Sequence, residues 1–146
     1  MKQSFLRNGS IFFVASALIA CGGSDSTAPP SVLVGTYNAV QFVTTGSSGQ
    51  TNQILAGSTL SINLNPNGST TGHLHVAASG GNSAFDADMA GTWTQTGNSV
   101  TFSQVADSFV RDMTLAVTAA GSSWQLVGDQ VFSGVRTQVT LSQVAL

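Results

Sequence analysis

Leu60, Ile62 and Leu64 alternate with Ser61 and Asn63. A period of two is the mark of a half-buried β-strand. The same alternation returns along most of the chain. After Asn65-Pro66-Asn67-Gly68, a run that favours chain reversal, Leu74 and Val76 continue it. Phe85, Ala87, Met89, Gly91, Trp93 and Gln95 then hold one parity, with Asp86, Asp88, Thr92 and Thr94 on the other. Val100 and Phe102 form the next set. Phe109, Met113, Leu115 and Val117 follow, then Trp124, Leu126 and Phe132, and last Val135, Val139 and Leu141. Ser79-Gly80-Gly81-Asn82, Gly97-Asn98, Ala120-Gly121 and Ser133-Gly134 separate these sets as tight turns. Val32 to Thr44 reads as a less regular first strand, because both of its faces carry apolar residues.

This pattern predicts an all-β domain, an antiparallel up-and-down meander of about eight strands. Closing the meander into a small barrel removes the two edges an open sheet would expose. A two-sheet sandwich is the alternative. A barrel of about eight strands has room inside for side chains or one small ligand. Thr45 to Ala56 is too long for a hairpin loop, and its apolar tip, Ile54-Leu55, is expected to fold over a barrel mouth.

Charge changes the picture by its scarcity. Only 7% of the 146 residues are charged, and Glu is absent. Lys2 and Arg7 lie at the N-terminus, leaving Arg111 and Arg136 as the positive residues beyond it. No basic patch can form, so nucleic-acid binding is not expected. Ser, Thr, Asn, Gln and Gly must supply the polar surface, a mix that suits strands and turns. The protein is expected to be a monomer.

The first residues read as an address. Lys2 and Arg7 precede the apolar run Ile11 to Ala20, which is short for a membrane span. The run ends at Leu18-Ile19-Ala20-Cys21, which resembles a bacterial lipobox. That resemblance implies a lipoprotein signal peptide over residues 1–20 and a lipid attached to Cys21. Residues 21–31 then form a flexible linker rich in Gly and Ser, with Pro29-Pro30 against regular structure. The domain covers residues 32–146. The partner implied is a membrane, held through the Cys21 anchor in the cell envelope. Gly22, rather than Asp, after the Cys points by resemblance to the outer membrane.

Gly35-Thr36-Tyr37 on the first strand, followed by a long loop and a meander, resembles the lipocalin-like (calycin) barrels. Gly91-Thr92-Trp93 repeats the string. The resemblance implies a ligand cup under a first-loop lid, with an Arg packed against aromatic rings near the barrel floor. Arg111 falls in the apolar phase between Phe109 and Met113. Hairpin register sets it beside Phe102, and Phe102 beside Trp93. An inward Arg111 stacked on rings would anchor an acidic head group; otherwise it plugs the barrel or reaches water from a strand end. The expected ligand-binding set is Arg111, Trp93, Phe102, Tyr37 and Trp124.

Catalytic chemistry finds little support. Gly46-Ser47-Ser48-Gly49 is not a nucleophile elbow, no glycine loop cradles a phosphate, and no cofactor is implied. The expectation is a protein that is not an enzyme. His73, His75, Asp86 and Asp88 form the one cluster of metal-ligand types. A turn at Gly80-Gly81 pairs Val76 with Phe85 and Leu74 with Ala87 on the apolar side. It sets His75 against Asp86 and His73 against Asp88 on the other. A metal would need three of these groups at about 2.0–2.2 Å from one point. Side chains on a twisted ribbon splay, so two solvated His–Asp pairs are expected instead. The function expected is a membrane-anchored envelope lipoprotein whose barrel binds a small hydrophobic or amphipathic ligand. The alternative is a structural or protein-interaction module with a filled barrel.

Overall fold

A computed structural model describes residues 31–79 and 81–145. They form ten strands in chain order: β1 (Gly35–Gly46), β2 (Gly49–Asn52), β3 (Thr59–Leu64), β4 (Ser69–Val76), β5 (Phe85–Asp88), β6 (Gly91–Thr96), β7 (Ser99–Gln104), β8 (Thr114–Ala120), β9 (Ser123–Phe132) and β10 (Val135–Gln143). No helix occurs among the described residues. All pairings are antiparallel, and β1 pairs with both β3 and β10, so the sheet closes on itself.

The ten segments make eight staves. β5 and β6 are one stave, because both pair with β4 in a single unbroken register, His73 with Asp88 and Thr70 with Gly91. Met89, between them, donates its N–H to the Gly72 carbonyl at 3.0 Å in the same register. β2 is a short flap hairpinned onto the upper end of β1. The result is a closed eight-stave barrel in up-and-down order, and closure leaves no long free edge.

The irregular first strand has a specific cause. Its register against β10 shifts between Ala39 and Gln41. Val40 is the extra residue of a β-bulge, which bends a strand and re-aims the side chains after it. Tyr37 therefore faces inward before the bulge and Phe42 after it, although their numbers differ in parity.

The interior is filled. Tyr37, Phe42, Ile62, Phe102, Leu115 and Leu126 are among the largest fully buried side chains, and they come from both halves of the chain. Each such burial contributes roughly 1.5–3 kcal/mol. Gly91 lets two polar groups join this core. On its two sides stand Thr70 of β4 and Gln104 of β7, which hydrogen-bond to each other over it at 3.0 Å. A Cβ at Gly91 would lie 2.2 Å from the Ser103 carbonyl oxygen.

The two barrel ends differ. The lower end holds the β3–β4, β6–β7 and β8–β9 turns and the incoming chain. There Leu33 is fully buried, its carbonyl accepts the Tyr37 hydroxyl at 2.9 Å, and Gln143 Nε2 donates to the Val34 carbonyl at 3.1 Å. Residues 31–34 thus plug the floor. Burial pushes the Tyr37 phenol up to about 12.

At the upper end the expected lid forms only in part: Ile54 packs against the core, and Leu55 does not. Thr45 to Ala56 is a hairpin, β1 to β2, followed by turns, and Leu55 stands 85% exposed. Gln53 anchors it from within, donating to Thr44 Oγ1 at 2.7 Å and accepting from Ser58 Oγ at 3.0 Å. Further cover comes from Val105–Met113, between β7 and β8. Phe109 and Val110 are both buried, and Phe109 packs on Phe42 with ring centroids 5.1 Å apart.

Candidate functional site

Two features stand out on the β4–β5 hairpin, one on each face. Its register places Val76 opposite Phe85, Leu74 opposite Ala87, His75 opposite Asp86 and His73 opposite Asp88. Ser79 and Asn82 bridge at the tip, and Gly81 has φ 87°. Gly80 lies outside the described residues.

On the inner face a cavity of about 280 Å³ opens at the upper end of the barrel. Leu74 and Val76 come from β4, Phe85 from the start of β5, and Phe132 from the end of β9. Phe109 closes its base, with Asp107 and Ser108 beside it from the covering loop. Phe85 is 41% exposed, so part of an aromatic ring stands at the mouth. The volume falls just below the range of roughly 300–1,000 Å³ common for small-molecule pockets. The cup has room for a short apolar group rather than a whole long chain, because the depth below it is packed.

On the outer face the two His–Asp pairs are linked into a chain. His75 Nδ1 lies 2.8 Å from Asp86 Oδ1, and His73 Nε2 lies 3.0 Å from the same oxygen. His73 Nδ1 faces Asp88 Oδ1 at 3.4 Å. Both ring nitrogens of His73 thus meet carboxylates, which only a protonated imidazole can serve with two N–H donors. Hydrogen bonds to Asp86 and Asp88 accordingly raise the His73 pKa, and those from His75 and His73 lower that of Asp86. No group of three metal-ligand side chains among the described residues could hold a metal ion. The diagonal contact from His73 to Asp86 was not expected from strand pairing; strand twist brings these neighbours together.

Arg111 does not face inward. Residues 105–113 are turns rather than strand: Arg111 N–H bonds the Ser108 carbonyl at 3.0 Å and Met113 N–H the Val110 carbonyl at 3.2 Å. In a turn the period-two phase is lost. Burying Phe109 and Val110 in succession swings the next side chain outward, where a guanidinium avoids the cost of desolvation. Arg111 Nη1 bonds Asp107 Oδ1 at 3.1 Å, and its Nε lies 3.9 Å from Asp112. The residue opposite Phe102 is Met113, whose carbonyl accepts the Phe102 N–H at 2.9 Å.

The other expected ligand residues are placed as follows. Trp93 and Phe102 are cross-strand partners in the core, and the Trp93 indole donates to the Asn65 carbonyl at 3.0 Å. Tyr37 is in the floor. Trp124 is partly buried near the lower end, its backbone N–H donating to Gln143 Oε1 at 3.3 Å. Neither these four nor Arg111 line the cup. Cys21 lies outside the described residues. The lining residues themselves carried a signal in the sequence: Val76, Phe85 and Phe132 each end or begin a strand at a turn belonging to the same barrel end. No protein-family model, curated protein or solved structure matches this chain.

Proposed function

We propose that this protein is a lipid-anchored cell-envelope lipoprotein, with a lipocalin-like barrel, that binds the apolar end of a small hydrophobic or amphipathic ligand. It performs no catalysis in this reading. The observation that carries the reading is the apolar cup at the upper end, at the opposite end of the barrel from where the chain enters at Ser31. A tether through Cys21 and the linker then attaches the barrel by its plugged floor and leaves the cup free. The lipobox-like Leu18-Ile19-Ala20-Cys21 supports the anchor.

The filled interior favours a second reading, a protein-interaction module that docks by the same end. The two separate on a small probe. Decanol below its solubility limit is expected to shift the NMR signals of Leu74, Val76 and Phe109 selectively. Phe85→Ser, a half-exposed position that leaves the core intact, is expected to weaken that binding several-fold. Absence of a localised shift would remove the ligand reading and leave the module.

A further inference from the structure

The expected ligand carried an acidic head, and that expectation depended on an inward Arg111. With Arg111 outside, Asp107 is the charged residue among those that line the cup, and its side chain is well exposed. From this we infer that the cup selects an apolar group bearing a cationic head, of the substituted-ammonium class, over the corresponding acid. The inference rests on the cup being a ligand site at all.

Four observations support it. Asp107 gives Oδ1 to Arg111, while Oδ2 makes no hydrogen bond among the described residues. Arg111 is itself shared between Asp107 and Asp112, so the covering loop has two carboxylates to one guanidinium and a net negative charge. The second cation at this end is also committed: Arg136 Nε bonds both oxygens of Asp129, at 2.9 and 3.1 Å, and its Nη2 bonds Oδ2. A carboxylate seated in the cup would therefore meet Asp107, whereas Arg111, flanked by two carboxylates, is not among the lining residues. The lining adds to the same preference. Phe85, Phe109 and Phe132 supply three aromatic rings, and an aromatic face attracts a cation through its quadrupole. The head would sit at the mouth, where Asp107 is well exposed, so the preference is modest and salt-dependent.

The test uses three ten-carbon probes below their micelle concentrations: decyltrimethylammonium, decanol and decanoate. Calorimetry with the full folded domain is expected to rank them in that order. The ammonium should bind about three-fold tighter than the alcohol at low salt, a factor that exposed cation–π and ionic contacts supply. Asp107→Asn is expected to bring the ammonium-to-alcohol ratio towards one. Equal binding of all three probes overturns the head-group inference and leaves the cup standing as a hydrophobic site. Tightest binding of decanoate overturns it as well. Failure of every probe removes the cup reading itself, and the inference with it.

Discussion

His73 stands between two carboxylates, Asp86 and Asp88. Its pKa is raised above 6.5 by Asp86 and Asp88, so what it contributes is complete below pH 6.5 and is lost as pH rises through the higher folded value. Asp86 is lowered below 3.8, so its contribution is complete above 3.8 and is lost as pH falls through the depressed folded value. The cluster therefore stabilises the hairpin most between about pH 4 and 6.5. Urea midpoints at pH 5.5 and 8 are expected to differ in the wild type, and His73→Gln should remove most of that difference. An unchanged difference would mean the cluster has no such role. Gly91 makes a steric prediction at the same scale. Its Cβ would meet backbone 2.2 Å away, and backbone moves less easily than a side chain. Gly91→Ala is expected to cost about 3 kcal/mol, measured by denaturant unfolding.

At the scale of elements, the Val105–Met113 segment is the most informative. Phe109→Ala is expected to lose about 3 kcal/mol or more, because it empties a core position packed on Phe42. Arg111→Gln is expected to lose less than about 0.5 kcal/mol, since its ion pairs are solvated. A large loss for Arg111→Gln would mean that the side chain is buried after all. The β9–β10 turn offers a gain. Ser133 has φ 49° and Gly134 φ 79°, the two positive values of a type I′ turn, which favours Asn-Gly. Ser133→Asn is expected to stabilise by about 0.5 kcal/mol, read as a raised melting temperature.

On the scale of the whole molecule, charge is polarised among the described residues. Asp86, Asp88, Asp107, Arg111, Asp112, Asp129 and Arg136 all lie in an upper loop or nearer the upper end of their stave. The lower turns present Asn, Pro, Ser and Gly instead. In the proposed arrangement the uncharged floor faces the membrane and the charged rim faces away. A group with two acyl chains holds a protein stably at a bilayer, whereas one chain holds it only reversibly. Cys21→Ser is therefore expected to abolish lipid labelling and move the domain to the soluble fraction. Retention of the variant on membranes would show that something other than Cys21 anchors the chain.

Strand identity and stave order were legible because they depend on local alternation and short turns, which each segment carries in itself; closure followed from the cost of two free edges, with a sandwich as the alternative. Leu60 to Leu64 reads as a half-buried strand without knowledge of any neighbour, and the His73–Asp88 and His75–Asp86 pairs follow once a two-residue turn sets the register. The bulge at Val40 and the turns at 105–113 were not legible. Each is a break in periodicity, and a break becomes visible only when the partner strand shows where pairing resumes. The extrapolated phase therefore pointed Arg111 inward, whereas Phe109 and Val110 compete for the interior and win it at far lower desolvation cost. The site depended on such breaks. Val76, Phe85 and Phe132 were readable as apolar strand ends, but the cup exists only because closure brings those ends together and Phe109 drops in beneath them, contacts between residues far apart in the chain that no local pattern encodes.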